Sequence, residues 1–364
     1  MKIVFFSTYY DKYLESFYKS HPDFSSLSYQ SQIETLKNDY FGVFGSYVNH
    51  ANAAGHQAIL IVPNCRPMQQ KWAQENKVAF RENGWQIEIA IAQIKAFRPD
   101  VFFMSSVFQF YGYFLEKIRP YCGKLFGWIA CPIPDEINLK QLSLILSSVP
   151  ELVADFRKQG LNSELLPAAF DSDILKHLTV RHSQDIDFSF VAGFSKAHTK
   201  RRILTEGLIR KTPLSLYGYG LVRDRSITGR LKSIANPDPM FKRYKGEVWG
   251  LRMFETLMRS KITFNAHIDM ALGNRVNMRM YEATGAGTLL LTDKSENEGI
   301  EYFVDGREII SYSSLDDAIE KVNYYLSHEK ERQEIANAGQ ARTLADYSFT
   351  RNMVSMISYF EKHL

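Results

Sequence analysis

Three side chains in NMRMYEATGAGTLLLTD, the stretch from Asn277 to Asp293, have the types and spacing to hold a charged ligand. Asn277, Arg279 and Glu282 supply an amide, a cation and a carboxylate within little more than one helical turn. Arg279 and Glu282 stand three residues apart and share a face if the segment is helical. A helix start leaves backbone N–H groups unpaired and carries partial positive charge, so an arginine beside it favours phosphate. Glu282, one turn deeper, can accept hydrogen bonds from paired hydroxyls such as those of a ribose. A nucleotide presents both groups. On spacing alone, a plain Arg279–Glu282 surface ion pair followed by glycines that turn the chain is an equal alternative.

The elements that must position these residues are a helix and a strand. Met278, Met280, Tyr281 and Ala283 alternate with the polar residues and give a short helix one face that can pack. Gly285 and Gly287 end it, and residues 288–292 read as a buried strand closed by Asp293. This is a helix-to-strand step of an α/β domain.

The order Asn277-Met278-Arg279, Glu282, Gly285-Ala286-Gly287, Leu291-Thr292-Asp293, Glu308, Tyr325-Leu326 with Arg332, and Ala338-Gly339 resembles the C-terminal half of GT-B glycosyltransferases. Within them it is most similar to the spore-maturation, CgeB-like branch, related to the retaining family 4. The resemblance covers roughly the last half of the chain, and the first half resembles the family in architecture only. It implies an α/β chain of two Rossmann-like domains facing across a cleft, with the second domain holding a nucleotide-sugar.

Length and composition agree with that class. The chain has 364 residues, enough for two α/β domains, and its apolar and charged fractions are those of a globular protein. A net charge of +4 admits phosphates without pointing to nucleic acid. Cys65, Cys122 and Cys131 are scattered and odd in number, which argues against a disulfide framework or a structural zinc. The Ile3-Val4-Phe5-Phe6 run is too short for a leader core, and no stretch approaches the roughly twenty apolar residues of a membrane span. A cytoplasmic location is expected.

Along the chain, a first strand over 2–6 is followed by Ser7-Thr8-Tyr9-Tyr10, where related enzymes often carry glycines. Tyr9, Tyr10 and Tyr13 read as packing residues in preference to a stacking platform for sugar. A single helix is expected over 36–54, then strands over 58–62, 101–105, 124–129 and 142–147, with helices over 87–97, 108–118 and 151–160 between them. His50 and His56 read as helix-end residues. The loop after 124–129, Ala130-Cys131-Pro132-Ile133-Pro134-Asp135-Glu136, lies where relatives place a histidine or aspartate on the transferred sugar. Asp135 is the carboxylate available to stabilise oxocarbenium-like charge, with a proline-stiffened surface turn as the equal alternative. The first domain is expected to span 1–171.

The second domain, expected over 186–345, opens with a strand over 187–192, then Gly193-Phe194-Ser195 and the basic run Lys196 to Arg202. By itself the run reads as a solvated helix end. Under the resemblance Gly193, Ser195, Lys200 and Arg201 become donor-phosphate contacts, with Arg202 able to replace Arg201. A strand over 214–217 brings Tyr217 and Gly218-Tyr219-Gly220 to a place where a base can lie against backbone. A short strand is expected over 244–248, and another over 262–265, ending at Asn265, with His267 just beyond. The resemblance sets this segment beside the donor sugar and pyrophosphate, with His267 either a ligand or a turn cap. The family's glutamate eight residues before Glu282 is replaced by Asn274, so Asn274 or Asn277 takes over hydrogen bonding to the sugar. A last helix within 346–364 is expected to cross back to the first domain.

The resemblance therefore implies transfer of a glycosyl group from a nucleoside-diphosphate sugar to an acceptor hydroxyl, with retention. Arg279 and His267, together with Asp135, are the residues expected to act on the reacting groups. No DxD-like pair stands at a strand end, so no metal and no cofactor are expected, the donor itself being a substrate. The acceptor is a glycan, a lipid-linked group or a protein. Contact of Phe241-Lys242-Arg243-Tyr244 with a membrane surface is the alternative to a solvated loop. A nucleotide-sugar epimerase or hydrolase, or a catalytically silent binding protein, are the competing readings, since a fold does not fix an activity.

Overall fold

The computed structural model describes residues 1–134, 136–178, 184–194, 199–221, 226, 238–267, 277–294 and 302–364. The chain divides into two compact units, Met1–Pro167 with Phe349–Leu364, and Ala168–Ser348.

The first unit is built on β1 (Lys2–Phe6), β2 (Gln57–Ile61), β3 (Val101–Met104), β4 (Lys124–Trp128), β5 (Leu144–Ser147) and β6 (Ser163–Leu165). They pair in parallel in the order β2-β1-β3-β4-β5-β6. Parallel strands covered on both faces must be apolar throughout, and Ile3 to Phe6, Val101 to Met104 and Leu144 to Leu146 are all fully buried. Helices Phe44–Ala53, Arg66–Glu75, Trp85–Phe97 and Pro150–Lys158 connect them. The terminal helix, Phe349–His363, is part of this unit: Phe360 packs on Phe103 and Phe126, and Asn352 accepts from the Tyr47 hydroxyl at 2.7 Å and donates to the Pro167 carbonyl at 2.6 Å.

Beyond the carboxyl ends of β1 and β3, Thr8 N donates to Ser106 Oγ at 2.7 Å and Ser105 Oγ to Ser7 Oγ at 2.8 Å. Side-chain hydroxyls thus tie this loop where glycines were absent. Tyr9 and Tyr13 are interior, Tyr13 stacking on Phe41 with ring centroids 3.6 Å apart, while Tyr10 stays 57% exposed.

The second unit carries β7 (Ile186–Val191), β8 (Leu214–Tyr217), β9 (Ser260–Phe264), β10 (Leu289–Asp293) and β11 (Ile310–Tyr312), parallel and ordered β11-β10-β9-β7-β8. Phe188, Phe190, Phe264, Leu289, Leu291 and Ile310 anchor its core under helices Thr199–Lys211, Leu315–Ser327 and Glu329–Asp346. The order of strands reverses between β7 and β9, and in open α/β sheets ligands bind outside the carboxyl ends at such a point.

Three expectations are corrected. The helix over 36–54 is two helices, Tyr29–Lys37 and Phe44–Ala53, because Tyr40 and Gly42 take left-handed conformations, φ 54° and 72°, that interrupt it. The helix over 108–118 begins only at Tyr113, since Gly112 sits at φ 60°. The strand over 244–248 is a single bridge between Tyr244 and Leu216, the backbone turning away at Gly246, φ 108°.

Candidate functional site

The carboxyl ends of β9 and β10 and the helix Met278–Gly285 form one bonded cluster. Asn277 caps that helix, its Oδ1 accepting from Met280 N at 3.3 Å, and its Nδ2 donates to Asn265 Oδ1 at 3.0 Å. Asn265, 3% exposed just past β9, donates in turn to Thr292 Oγ1 at 3.0 Å. His267 is held by Asp293, whose Oδ1 lies 2.7 Å from the ring Nδ1 and 3.2 Å from the backbone N of His267. Asn265 and Asn277 therefore build the frame of the site with both ends of their side chains engaged. His267 is the side chain this frame orients.

Arg279 Nη1 lies 2.9 Å from Glu282 Oε2 and 3.1 Å from the sulfur of Met253 on the helix Gly250–Met258. Each side chain of the pair is 17% exposed, so the charges are only partly shielded by water and interact more strongly than a surface pair. The sequence offered a ligand pair or an ion pair. The structure contains the ion pair, within the helix Met278–Gly285.

On β7 and β8, the exit loops approach as closely as glycine permits. Phe194 N donates to Tyr219 O at 2.8 Å, and a Cβ at Gly193 would meet the Tyr219 ring. Gly218, at φ 124°, could carry no side chain without colliding with the Ala192 carbonyl, and its own carbonyl accepts from the Tyr244 hydroxyl at 2.7 Å. Tyr219 stacks on Trp249, ring centroids 5.1 Å apart, so an aromatic face closes this end of the sheet. Arg201 donates to the Gly193 carbonyl and lies over the Phe190 ring, and burial pulls its pKa below the usual guanidinium value while Tyr219 opposes that shift. The guanidinium of Arg202, its alternative, is shared between Glu206 at 2.9 Å and Asp238 at 2.5 Å.

Of the expected site residues, Gly193, Arg201, Gly218, Asn265, His267, Asn277, Arg279 and Glu282 all stand at the carboxyl ends of β7, β8 and β9 or on the Met278–Gly285 helix. Tyr217 ends β8, paired with Val191 of β7, and burial raises its phenol, with Arg259 lowering and Asp185 raising it. Asp135, Ser195 and Asn274 lie outside the described residues, as does the side chain of Lys200. In the sequence Asp293 marks the end of a strand and belongs to the Leu291-Thr292-Asp293 motif. Its role as the partner of His267 had no local signal, because the two are 26 residues apart and meet only through the pairing of β9 with β10.

Other residues of the spaced motif hold the frame. A Cβ on Gly285 would enter the Phe170 ring, one on Gly339 would strike the Glu308 carbonyl, and Gly287 turns the chain at φ 80°. Arg332, 2% exposed, donates to the Tyr325 carbonyl at 2.9 Å and closes the end of the helix Leu315–Ser327.

A family model described as glycosyl transferase-like matches residues 201–358, the region that contains this cluster. Solved structures match over the whole chain. The fold is that of GT-B glycosyltransferases. A sucrose-phosphate synthase from Thermosynechococcus elongatus superposes with a TM-score of 0.59 at 10% identity, covering 100% of this chain and 98% of its own. A glycosyltransferase from Rickettsia africae gives 0.61 at 11% identity over 100% and 98%. The Anabaena protein HepE, solved in complex with UDP and glucose, gives 0.58 at 11% identity over 100% of both chains. No curated protein sequence matches the chain. Among the described residues, no helix is long and apolar enough to cross a membrane.

Proposed function

We propose that this GT-B chain is a glycosyltransferase that binds a nucleoside-diphosphate sugar at the carboxyl ends of β7, β8 and β9 and transfers the sugar to an acceptor hydroxyl. The observation that carries this is the cluster in which Arg279 and Glu282 start a helix beside an oriented His267, inside the region that matches a glycosyl transferase-like model. HepE, of the same fold, was solved with UDP and with UDP-glucose, which makes a uridine diphosphate sugar the first donor to test.

In this reading the diphosphate takes Arg279 from Glu282 in part, and Arg201 and Lys200 add positive charge from the start of the helix Thr199–Lys211. Charge placed where the leaving diphosphate develops its own lowers the barrier of the transfer step. Glu282 accepts from the ribose hydroxyls, the base lies near Gly218 and the Tyr219–Trp249 pair, and Ser195 and Asn274 complete the donor contacts. Asp135 is assigned to the oxocarbenium-like charge. Retention, independence from metal, membership of the spore-maturation branch and a cytoplasmic setting belong to the same proposal, as do a glycan, lipid-linked or protein acceptor and peripheral contact with a membrane.

Release of UDP from UDP-glucose, followed with and without a panel of hydroxyl acceptors, tests the reaction. Release that rises with one acceptor class, with the sugar recovered on that acceptor, supports transfer. Equal release without acceptor would make the chain a hydrolase, and donor binding without release a silent binding protein.

A further inference from the structure

The pairing of His267 with Asp293 carries a consequence for how a substrate is recognised. His267 follows β9 and Asp293 ends β10, so the two neighbouring strands set imidazole and carboxylate side by side. One oxygen, Asp293 Oδ1, meets the ring Nδ1 at 2.7 Å and the backbone N–H at 3.2 Å, and also accepts from the Thr292 hydroxyl at 3.3 Å. Through Asn265 Nδ2 to Thr292 Oγ1 and Asn277 Nδ2 to Asn265 Oδ1, each 3.0 Å, the same run of bonds reaches the cap of the helix that carries Arg279 and Glu282. The imidazole is thereby fixed in position and in ring orientation.

Its other nitrogen is different. The His267 side chain is 5% exposed, and Nε2 is buried with no hydrogen-bond partner among the described residues. An ionised carboxylate only accepts, so the proton belongs on Nδ1 and the neutral ring presents a lone pair at Nε2. Buried polar atoms normally have partners, and an oriented acceptor without one at the ligand edge of a sheet is complementary to a hydroxyl donor. Phosphate oxygens cannot fill that role. In the donor-site reading the ribose hydroxyls go to Glu282, and a hydroxyl of the transferred sugar matches the acceptor at Nε2.

We propose that Asp293 is a positioning residue that fixes His267 with its proton on Nδ1, so that Nε2 accepts a hydrogen bond from a hydroxyl of the transferred sugar. The inference rests on the donor-site reading above.

Two measurements on the full chain test it. Nitrogen-15 histidine spectra are expected to show His267 protonated on Nδ1 in the wild type and to lose that fixed state in Asp293→Ala, with Asp293→Asn retaining it because an amide oxygen still accepts. Calorimetric titration is expected to show UDP-glucose binding about five- to tenfold weaker in both Asp293→Ala and His267→Ala, with UDP itself unchanged, and Asp293→Asn in between. A wild-type His267 protonated on Nε2, or equal losses for UDP and UDP-glucose, would overturn the inference. Failure of the wild type to bind either ligand would instead sink the donor-site reading, and the sugar contact with it, whatever tautomer the spectra show.

Discussion

Arg279 and Glu282 form an ion pair with Nη1 and Oε2 2.9 Å apart at the start of the helix Met278–Gly285, with Met253 against the guanidinium. Two roles meet in it. The pair holds the arginine in one orientation without a ligand, and a diphosphate must share that guanidinium with Glu282 to bind. A planar fork can serve both partners, whereas an ammonium is a single point charge.

Arg279→Lys is therefore expected to weaken UDP binding about tenfold although the charge is kept, and raising salt should weaken the wild-type complex. Calorimetry at two ionic strengths checks both. Lysine binding as well as arginine would show that only charge is used.

Gly218 and Gly246 separate close approach from conformation. Both have positive φ, 124° and 108°, but a Cβ on Gly218 would run into the Ala192 carbonyl while Gly246 has open space. Gly246→Ala is expected to cost about 1–2 kcal/mol of unfolding free energy, and Gly218→Ala clearly more, because it must also part β7 from β8. Urea unfolding of the two variants gives the comparison, and equal costs would remove the steric argument.

Arg332 is expected to matter for stability and not for ligand. It is 2% exposed and donates to the part-buried Tyr325 carbonyl, so Arg332→Ala leaves a cavity and takes away that carbonyl's side-chain donor. A loss of about 2–3 kcal/mol with unchanged UDP affinity is predicted, by denaturation and titration of the same samples. A selective loss of UDP affinity would put Arg332 in the site.

Cysteine chemistry follows burial. The Cys65 thiol is fully buried, and burial first, against hydrogen bonds from Tyr18 and the Met68 backbone, pushes it up to about 11, whereas Cys131 is exposed. Alkylation at pH 8 should modify Cys131 and spare Cys65 until the chain unfolds, as peptide mass mapping would show. Between the ordinary thiol value and about 11 the unfolded chain releases this proton and the folded chain keeps it. The unfolded state then binds fewer protons, so this group lowers stability as pH rises through that window. Cys65→Ala should flatten that part of the profile.

How much was legible in the sequence depended on range. Buried parallel strands read as apolar runs, so Ile3 to Phe6, Val101 to Met104 and Leu289 to Leu291 were visible without any partner. The helix Arg66–Glu75 was not seen, because one of its buried positions is Gln69, which donates to the Val62 carbonyl at 3.1 Å and breaks the apolar periodicity. In the candidate site, Arg279 and Glu282 are neighbours in sequence and their pairing could be read from spacing. The contact of His267 with Asp293 is made by strand adjacency, and no local pattern announces it. The apparent strand after Tyr244 failed for a related reason: its residues have strand-like types, but Gly246 and the bond from Tyr244 to Gly218 bend it across β8.

The most direct test of the central claim, a nucleotide-sugar site at the carboxyl ends of β7, β8 and β9, is a thermal-shift panel of nucleoside diphosphates and their sugars on the wild type, Arg279→Ala and Glu282→Ala. A ligand that binds only the folded state raises its melting temperature with concentration. A rise with one nucleotide-sugar is expected in the wild type, and its loss in both variants. No rise with any of them, or a rise that both variants keep, would contradict it.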